Sequence, residues 1–427
     1  MSAWSLAVVA VIVLAYALVS RGLGRTPVTA AIFFLSAGLV FGRLGWIDFG
    51  AGSETVRLLA EATLTLVLFA DASRIDLAAL KQEYLVPVRL LGIGLPLTIV
   101  TGCALAVVLF PSFSFGEALL LAIILAPTDA ALGQAVVTDP RLPSRIRQGL
   151  NVESGLNDGI CVPLLFIALA LSDAEAHTKS AQGAVRLVAE AIGYGVLFGV
   201  VCGAAGAILL RLARERGLAE ASWIPVVPVA TAALSYGLAA PLGGSGFIAS
   251  FVAGFTFGAL RRDPEEAPSL LEDLGDLASA ATFIVFGAVF AGPFLAHLSW
   301  NAVLYGLLSL TAVRMLPVTV AFARTHARPQ TVAFMGWFGP RGLASIVFTV
   351  IVMDEANLPG ITTITVAVVF TVVLSVYAHG LTSRPLTGRY ASWFRAHPSD
   401  RKPPMEGVHA PPQRWRHRTA AAAQRRG

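Results

Sequence analysis

The sequence predicts an all-α polytopic membrane protein with about 13 transmembrane helices. Its 427 residues are 56% hydrophobic and only 13% charged, and the mean hydropathy is +0.73. Apolar runs of roughly 17 to 25 residues, the length of a helix that crosses a bilayer, recur along the chain. Lys and Arg gather in alternate connections between these runs. This composition is that of a membrane protein rather than a soluble globular one.

Charge asymmetry between the connections predicts the orientation. The predicted spans lie near residues 3–20, 27–42, 54–76, 84–110, 116–138, 144–172, 185–212, 223–240, 244–260, 270–291, 299–323, 330–353 and 360–383. Odd-numbered connections carry most of the basic residues, beginning with Arg21 and Arg25. Because basic loops stay in the cytoplasm, we expect a protein of the plasma (inner) membrane, with its amino terminus outside and its carboxyl terminus cytoplasmic.

Composition divides the chain into two parts. Residues 1–385 form the predicted transmembrane domain, and residues 386–427 a basic cytoplasmic tail that is rich in proline and alanine. From residue 384 onward there are ten Lys or Arg and two acidic residues. We expect the tail to be disordered and to lie near anionic membrane lipid rather than to bind nucleic acid. The three cysteines lie in apolar runs at unrelated spacings, which predicts neither a disulfide framework nor a zinc site, and no cofactor is expected.

Two predicted spans are interrupted in their middles. The fifth contains Ala-Pro-Thr-Asp at 126–129, and the twelfth contains Phe-Gly-Pro-Arg-Gly at 338–342. Proline removes a helical hydrogen bond, and irregular backbone at membrane depth is tolerated only where protein or a water-filled cavity covers it. The breaks hold matching positions in two sets of six spans, which predicts two inverted six-helix repeats joined by span seven, with a transport site at the breaks. Two ordinary proline kinks are the alternative.

Acids beside the first break predict the chemistry of that site. Asp129 ends the broken segment, while Ser154 and Asp158 lie four residues apart on one face of the sixth span. Two carboxylates, a serine hydroxyl and a carbonyl freed by Pro127 are oxygen ligands suited to a hard monovalent cation. Two nearby carboxylates resist ionising together, so protons and a cation would compete for one site. Such competition is what antiport requires; a buried, hydrogen-bonded acid pair is the structural alternative.

Three further charged residues are predicted neighbours of this site. Arg341, in the second break, needs an anionic partner, and Glu153 is preferred because its helical stripe is not the one assigned to the ion. Arg314, midway along span eleven, is expected to pair with Glu153 or Asp129. Asp71, near the end of span three, is either a third ligand, an entrance acid or part of an interfacial cluster with Arg74 and Asp76.

These segments resemble the monovalent cation:proton antiporter superfamily, in its sodium/proton exchanger branch. The resemblance covers nearly all of residues 1–385 and is most specific in Glu-Ser-Gly-Leu-Asn-Asp-Gly at 153–159. It implies a homodimer with a dimerisation domain and a mobile core domain, the latter including residues 84–172 and 299–383, in which unwound helices cross. The core is implied to move like an elevator.

The resemblance also implies the roles of single residues. The cation is implied to bind at Asp129, Asp158, Ser154 and the backbone of Thr128. Asp71 matches a further ligand acid only loosely, since the chain reads Phe-Ala-Asp at 69–71 where relatives have a Phe-Glu-Gly-like segment. Supporting positions are implied at Glu153, Asn157 and Arg341. Asn157 before Asp158, where the electrogenic branch has two aspartates, implies electroneutral exchange of one cation for one proton.

The sequence therefore predicts a secondary antiporter, not an enzyme, that exchanges Na⁺, or alternatively Li⁺ or K⁺, for H⁺. A cation channel is the nearer rival, although no segment resembles a selectivity-filter loop. An intramembrane aspartyl protease also needs two membrane-buried acids, but the Gly-x-Gly-Asp context is missing. Proton counterflow separates an exchanger from a channel, and cleavage of a membrane peptide identifies a protease.

Overall fold

The computed structural model describes residues 2–50, 52–75, 84–177, 181–261, 269–355 and 358–396. Every regular element within these ranges is helical, which confirms the predicted all-α class. Within the described residues, seven helices are long and apolar enough to cross a membrane, and shorter apolar helices lie between them. The number of membrane crossings stays a prediction, although each predicted span overlaps one helix or one interrupted pair of helices.

The helices are numbered here in chain order. They are α1 Ala3–Leu23, α2 Ala30–Arg43, α3 Glu54–Ser73, α4 Leu85–Leu109, α5 Phe115–Ile124, α6 Gln134–Thr138, α7 Ser144–His177, α8 Ala181–Glu215, α9 Val226–Leu242, α10 Gly246–Leu260, α11 Leu270–His297, α12 Trp300–Ala321, α13 Pro329–Trp337, α14 Leu343–Glu355 and α15 Ile361–Arg395. Single π-helical turns interrupt α4 at Leu90–Gly94 and α11 at Phe286–Ala291.

Both predicted breaks are present. The fifth span divides into α5 and α6, and residues 125–133 between them form no helix. The twelfth divides into α13 and α14 around residues 338–342. Pro127 and Pro340 lack the N–H groups that a continuous helix would use, so each break frees backbone carbonyls for other partners.

The last helix is longer than predicted. We expected the tail to begin at residue 386, but α15 continues through Pro385 to Arg395. Its final turns are held by packing, because the ring of Tyr390 stacks on Phe334 of α13 at 4.4 Å and the Tyr390 hydroxyl bonds to Thr331 Oγ1 at 2.9 Å. The aromatic residues after Pro385 thus continue the helix where composition suggested a disordered tail. Residues 397–427 lie outside the described residues.

Close helix packing positions α3 against α10. Gly254 and Gly258, one turn apart on α10, face the backbone of Phe69 and Ser73 on α3, and a side chain at either glycine would collide with that backbone. Small residues four apart let two helices approach closely in a membrane. A hydrogen bond of 3.1 Å between Thr63 and Thr282 joins α3 to α11 as well. Helices α3, α10 and α11 therefore form one packed group, called here the scaffold group.

Candidate functional site

The two unwound segments cross and bind each other directly. The N–H of Asp129 donates to the carbonyl of Pro340 at 2.8 Å, so one break supplies the partner that the other lacks. The Ser345 hydroxyl, in the first turn of α14, donates to the carbonyl of Ile124 at the end of α5 at 2.7 Å. Helices α5, α6, α13 and α14 meet in this way at one crossing, which places the predicted site residues together.

The Asp129 carboxylate lies at the amino-terminal end of α14. Its Oδ2 accepts from the N–H of Leu343 at 3.1 Å, and its Oδ1 accepts from the N–H of Ala131 at 2.8 Å. Backbone N–H groups at a helix start carry partial positive charge, which favours an anion there. The carboxylate is thus oriented by backbone donors from both unwound segments, while each oxygen keeps a lone pair for a further ligand.

Helix α7 presents Ser154, one of the two members of the predicted Ser154–Asp158 stripe, to the first break. The Ser154 hydroxyl donates to the carbonyl of Thr128 at 2.6 Å and accepts from the N–H of Ala130 at 2.8 Å. One turn away, Asn157 Nδ2 donates to Thr128 Oγ1 at 2.7 Å. Asp158 follows on the same helix and is 9% exposed. The Ser154 hydroxyl therefore binds the backbone groups on both sides of Asp129 in the sequence, the Thr128 carbonyl and the Ala130 N–H.

Arg341 does not have its predicted partner. Its guanidinium is fully buried, and Nη1 donates to the carbonyls of Ala126 at 2.6 Å and Pro127 at 3.1 Å. The preferred direct pairing with Glu153 is wrong, since both oxygens of Glu153 bind Arg314 at 2.5 and 2.8 Å. The pairing of Arg314 with Glu153 is one of the two that the sequence left open for Arg314. Arg341 instead satisfies the carbonyls that the first break exposes, acceptors that a residue pattern does not reveal.

Ser375 and His379 on α15 close the second break. The Arg341 N–H donates to Ser375 Oγ at 2.7 Å. His379, one turn further on, places Nε2 at 2.9 Å from the carbonyl of Trp337, the last residue of α13, and Nδ1 at 3.2 Å from Ser375 Oγ. The sequence favours a backbone partner for His379 over a pH-sensing role, and the structure shows that partner, whereas sequence reasoning missed Ser375. Its spacing of four from His379 on one helix face, opposite a broken span, is the signal that could have identified it.

Asp71 borders the site from the scaffold group. It packs beside Gly155 of α7, and a cavity of about 30 Å³, room for a particle of the size of water, lies between Asp71, Ser154 and Ala130. Arg74 lies 3.5 Å from Asp71 and binds Glu272 at 2.5 Å. The structure therefore shows both arrangements that the sequence left open for Asp71: an acid near Ser154, and membership of a cluster of charges. Asp76, which we expected in that cluster, lies outside the described residues.

A much larger cavity of about 810 Å³ leads to the crossing. Its walls come from α1, α2 and α11 on one side and from residues 130–138 and the end of α15 on the other. It shares Ala130 and Asn151 with the small cavity beside Asp71. Ser20 of α1 and Arg384 of α15 also line it. Since Ala130 follows Asp129 in the sequence, the cavity extends to the residue next to that carboxylate.

The fold and the site together define a polytopic membrane protein with two crossed, interrupted helices around the partly buried carboxylate of Asp129. The family model described as "Sodium/hydrogen exchanger, transmembrane" matches residues 8–388, and the chain belongs to this family.

Solved structures show the same fold. Two structures of the sodium proton antiporter MjNhaP1 from Methanocaldococcus jannaschii superpose on the chain with TM-scores of 0.74 and 0.71, at 20% and 18% identity. They cover 91% and 88% of this chain and 98% of the MjNhaP1 chain in each case.

Curated relatives carry antiporter names. A Na(+)/H(+) antiporter of Schizosaccharomyces pombe is 28% identical over 56% of this chain and 54% of its own length. The K(+)/H(+) antiporter NhaP of Alkalimonas amylolytica is 27% identical over 74% of this chain and 54% of its own length. The chain thus spans about half the length of these relatives.

Proposed function

We propose that this protein is a secondary antiporter that exchanges Na⁺ for H⁺ across the plasma membrane. The observation that carries the proposal is the Asp129 carboxylate, held at the crossing of two interrupted helices, next to the Ser154–Asp158 stripe and near the inner end of a large cavity. Family membership and the antiporter names of relatives support the same activity.

We propose that the cation binds to Asp129, Asp158, the Ser154 hydroxyl and the Thr128 carbonyl. The Ser154 hydroxyl binds both the Thr128 carbonyl and the Ala130 N–H, so it already sets the spacing of these groups. Buried Asn157 Oδ1 has no hydrogen-bond partner within the described part of the chain, which leaves an unsatisfied oxygen beside them. An all-oxygen site of this kind suits Na⁺ and also admits Li⁺ and K⁺.

Competition at this carboxylate pair would couple the two ions. A proton or a cation neutralises part of the charge at Asp129 and Asp158, and the empty site with two charges is costly to move through a medium of low dielectric. A bound proton or a bound cation therefore permits the switch between inward and outward access, whereas the empty site resists it. Because residue 157 is an amide rather than a third acid, we propose that one cation exchanges for one proton without net charge movement.

The neighbouring charges would hold this site in place. The Glu153–Arg314 pair joins α7 to α12, and Arg341 ties α14 to the first break. Asp71, across the small cavity from Ser154, would contribute an additional oxygen when the core meets the scaffold group. We assign Glu153, Arg314 and Arg341 to positioning and charge balance, and Asp71 to ion binding.

We further propose the assembly and orientation that the sequence predicts. Helices outside residues 84–172 and 299–383 would form a homodimer interface, lipid would cover the remaining apolar faces, and the carboxyl terminus would be cytoplasmic. Exposed large side chains such as Leu18 on α1 and Leu209 on α8 supply the apolar surface that both roles need.

The direct test is cation-induced relaxation of a pH gradient in proteoliposomes. We expect Na⁺ to dissipate the gradient with the wild type and not with Asp158→Ala or Asp129→Ala, while Asp139→Asn, a change outside the site, retains exchange. Full exchange by Asp158→Ala would refute the site. Parallel assays with K⁺ and Li⁺ decide the cation, because the named relatives include K⁺/H⁺ antiporters. Cation flux without proton counterflow would make the protein a channel, and sensitivity of exchange to membrane voltage would exclude the one-for-one stoichiometry.

A further inference from the structure

Helix α14 connects the proposed site to the other face of the protein. Its first residue, Leu343, donates its N–H to Asp129, and Asp354 lies in its last turn. With a rise of 1.5 Å per residue, the two ends are about 17 Å apart. A helix is stiff over this length, so a displacement of Asp354 is transmitted to the carboxylate at the crossing.

Asp354 is held by an arginine of the scaffold group. Its Oδ2 accepts from Nη1 of Arg57 on α3 at 2.9 Å. Arg57 also lies 3.5 Å from Glu61, one turn along α3, which keeps the guanidinium near the helix surface. Since α3 is packed on α10 and α11, and α14 on the crossing, this ion pair joins the scaffold group to the helices that carry the site.

The Arg57–Asp354 pair lies on the side of the protein where α14 contacts α3 of the scaffold group. On the opposite side, the large cavity separates α1, α2 and α11 from residues 130–138 and from the end of α15. The predicted orientation puts the start of α3 and the end of α14 outside and the mouth of the cavity in the cytoplasm. In that orientation the large cavity lies on the cytoplasmic side and the Arg57–Asp354 ion pair on the extracellular side.

We propose that Arg57 and Asp354 form an extracellular latch that stabilises the inward-facing conformation. The inference rests on the proposed antiport, because only alternating access requires the pair to open in each cycle. The two side chains are 44% and 42% exposed. An ion pair this exposed shifts an equilibrium by a factor of only about 1.5 to 5, so it biases the conformations without trapping one of them.

The latch has a kinetic signature that general damage does not produce. Losing it lowers the population of the inward-facing state, so the KM for the cation rises on the cytoplasmic face and falls on the extracellular face. Misfolding or a weakened cation site moves both KM values in the same direction or lowers the maximal rate alone. Arg57 and Asp354 are thus positioning residues, since neither needs to touch the transported ion.

Charge reversal tests this directly in proteoliposomes of known orientation. We expect Arg57→Asp and Asp354→Arg each to raise the ratio of cytoplasmic to extracellular KM by about threefold or more, because like charges then face each other. The double variant should return the ratio to the wild-type value. Reversal of the Arg186–Glu190 pair, in which both residues belong to α8, is the matched control and should leave the ratio unchanged.

A disulfide across the latch provides a second test. In the Arg57→Cys, Asp354→Cys variant, oxidation should abolish exchange and reduction should restore it, while the native cysteines are buried in the described structure. Full exchange by the cross-linked protein, or charge-reversed variants with an unchanged KM ratio, would overturn the latch. Either result can occur while the wild type exchanges cation for protons, so it is distinguishable from failure of the proposed function, which wild-type protein without exchange would reveal.

Discussion

Removing either member of the Glu153–Arg314 pair is expected to destabilise the protein strongly. The side chains are 2% and 3% exposed, and two hydrogen bonds of 2.5 and 2.8 Å join them. Glu153→Gln leaves the Arg314 guanidinium buried without an anion, and Arg314→Gln leaves the carboxylate without a cation. Breaking a buried pair in this way costs about 3–5 kcal/mol. For a protein of this size we expect Tm to fall by about 3–6 °C.

A double-mutant cycle measures the coupling. Thermal unfolding in detergent would be followed for the two single variants and for Glu153→Gln combined with Arg314→Gln. Because each single variant leaves one buried charge without a partner and the double variant leaves none, the double variant should be more stable than the sum of the single losses predicts, by about 2 kcal/mol or more. The cycle of Glu153 with Arg341 is the control and should show weaker coupling, since Arg341 binds the carbonyls of Ala126 and Pro127. The pairing of Glu153 with Arg314 would be refuted if their losses of stability were additive, or if Glu153 were coupled more strongly to Arg341 than to Arg314.

Two further predictions concern packing and pH. Gly254→Val should lower stability by about 1–3 kcal/mol in thermal unfolding, because the valine side chain would meet the backbone of Phe69. Gly237→Ala is the control and should not lower stability, since nothing in the described structure lies within 4 Å of that position. Equal losses of stability for the two variants would exclude the close α3–α10 contact. Asp139 lies in the connection after α6, and the hydrogen bond from Arg141 lowers its pKa. The ionised Asp139 therefore stabilises the folded state at pH values above its unfolded pKa of about 4. This stabilisation is lost as the pH falls through the lower pKa of the folded state. Asp139→Asn should therefore slightly lower Tm at pH 7 and match the wild type near pH 3; a constant difference would contradict the linkage.

Much of the fold follows from local pattern. Apolar runs of spanning length and the prolines at 127 and 340 are readable one segment at a time, because hydrophobicity and a missing N–H act within a helix. For the same reason Ser154 and Asp158 could be assigned to one face of α7 from their spacing alone. The end of α15 was misjudged, since stacking of Tyr390 on Phe334 depends on a distant helix.

The partners of the buried charges required the tertiary structure. The sequence by itself determined that Asp129, Asp158, Glu153, Arg314 and Arg341 lie in apolar spans and must find partners, because an isolated charge is too costly there. Only the tertiary structure decided that Arg314 on α12 binds Glu153 on α7 and that Arg341 binds backbone carbonyls of the first break. A hydrogen bond is decided by distance and direction between groups that are far apart in sequence, whereas composition and spacing describe only the groups that are close.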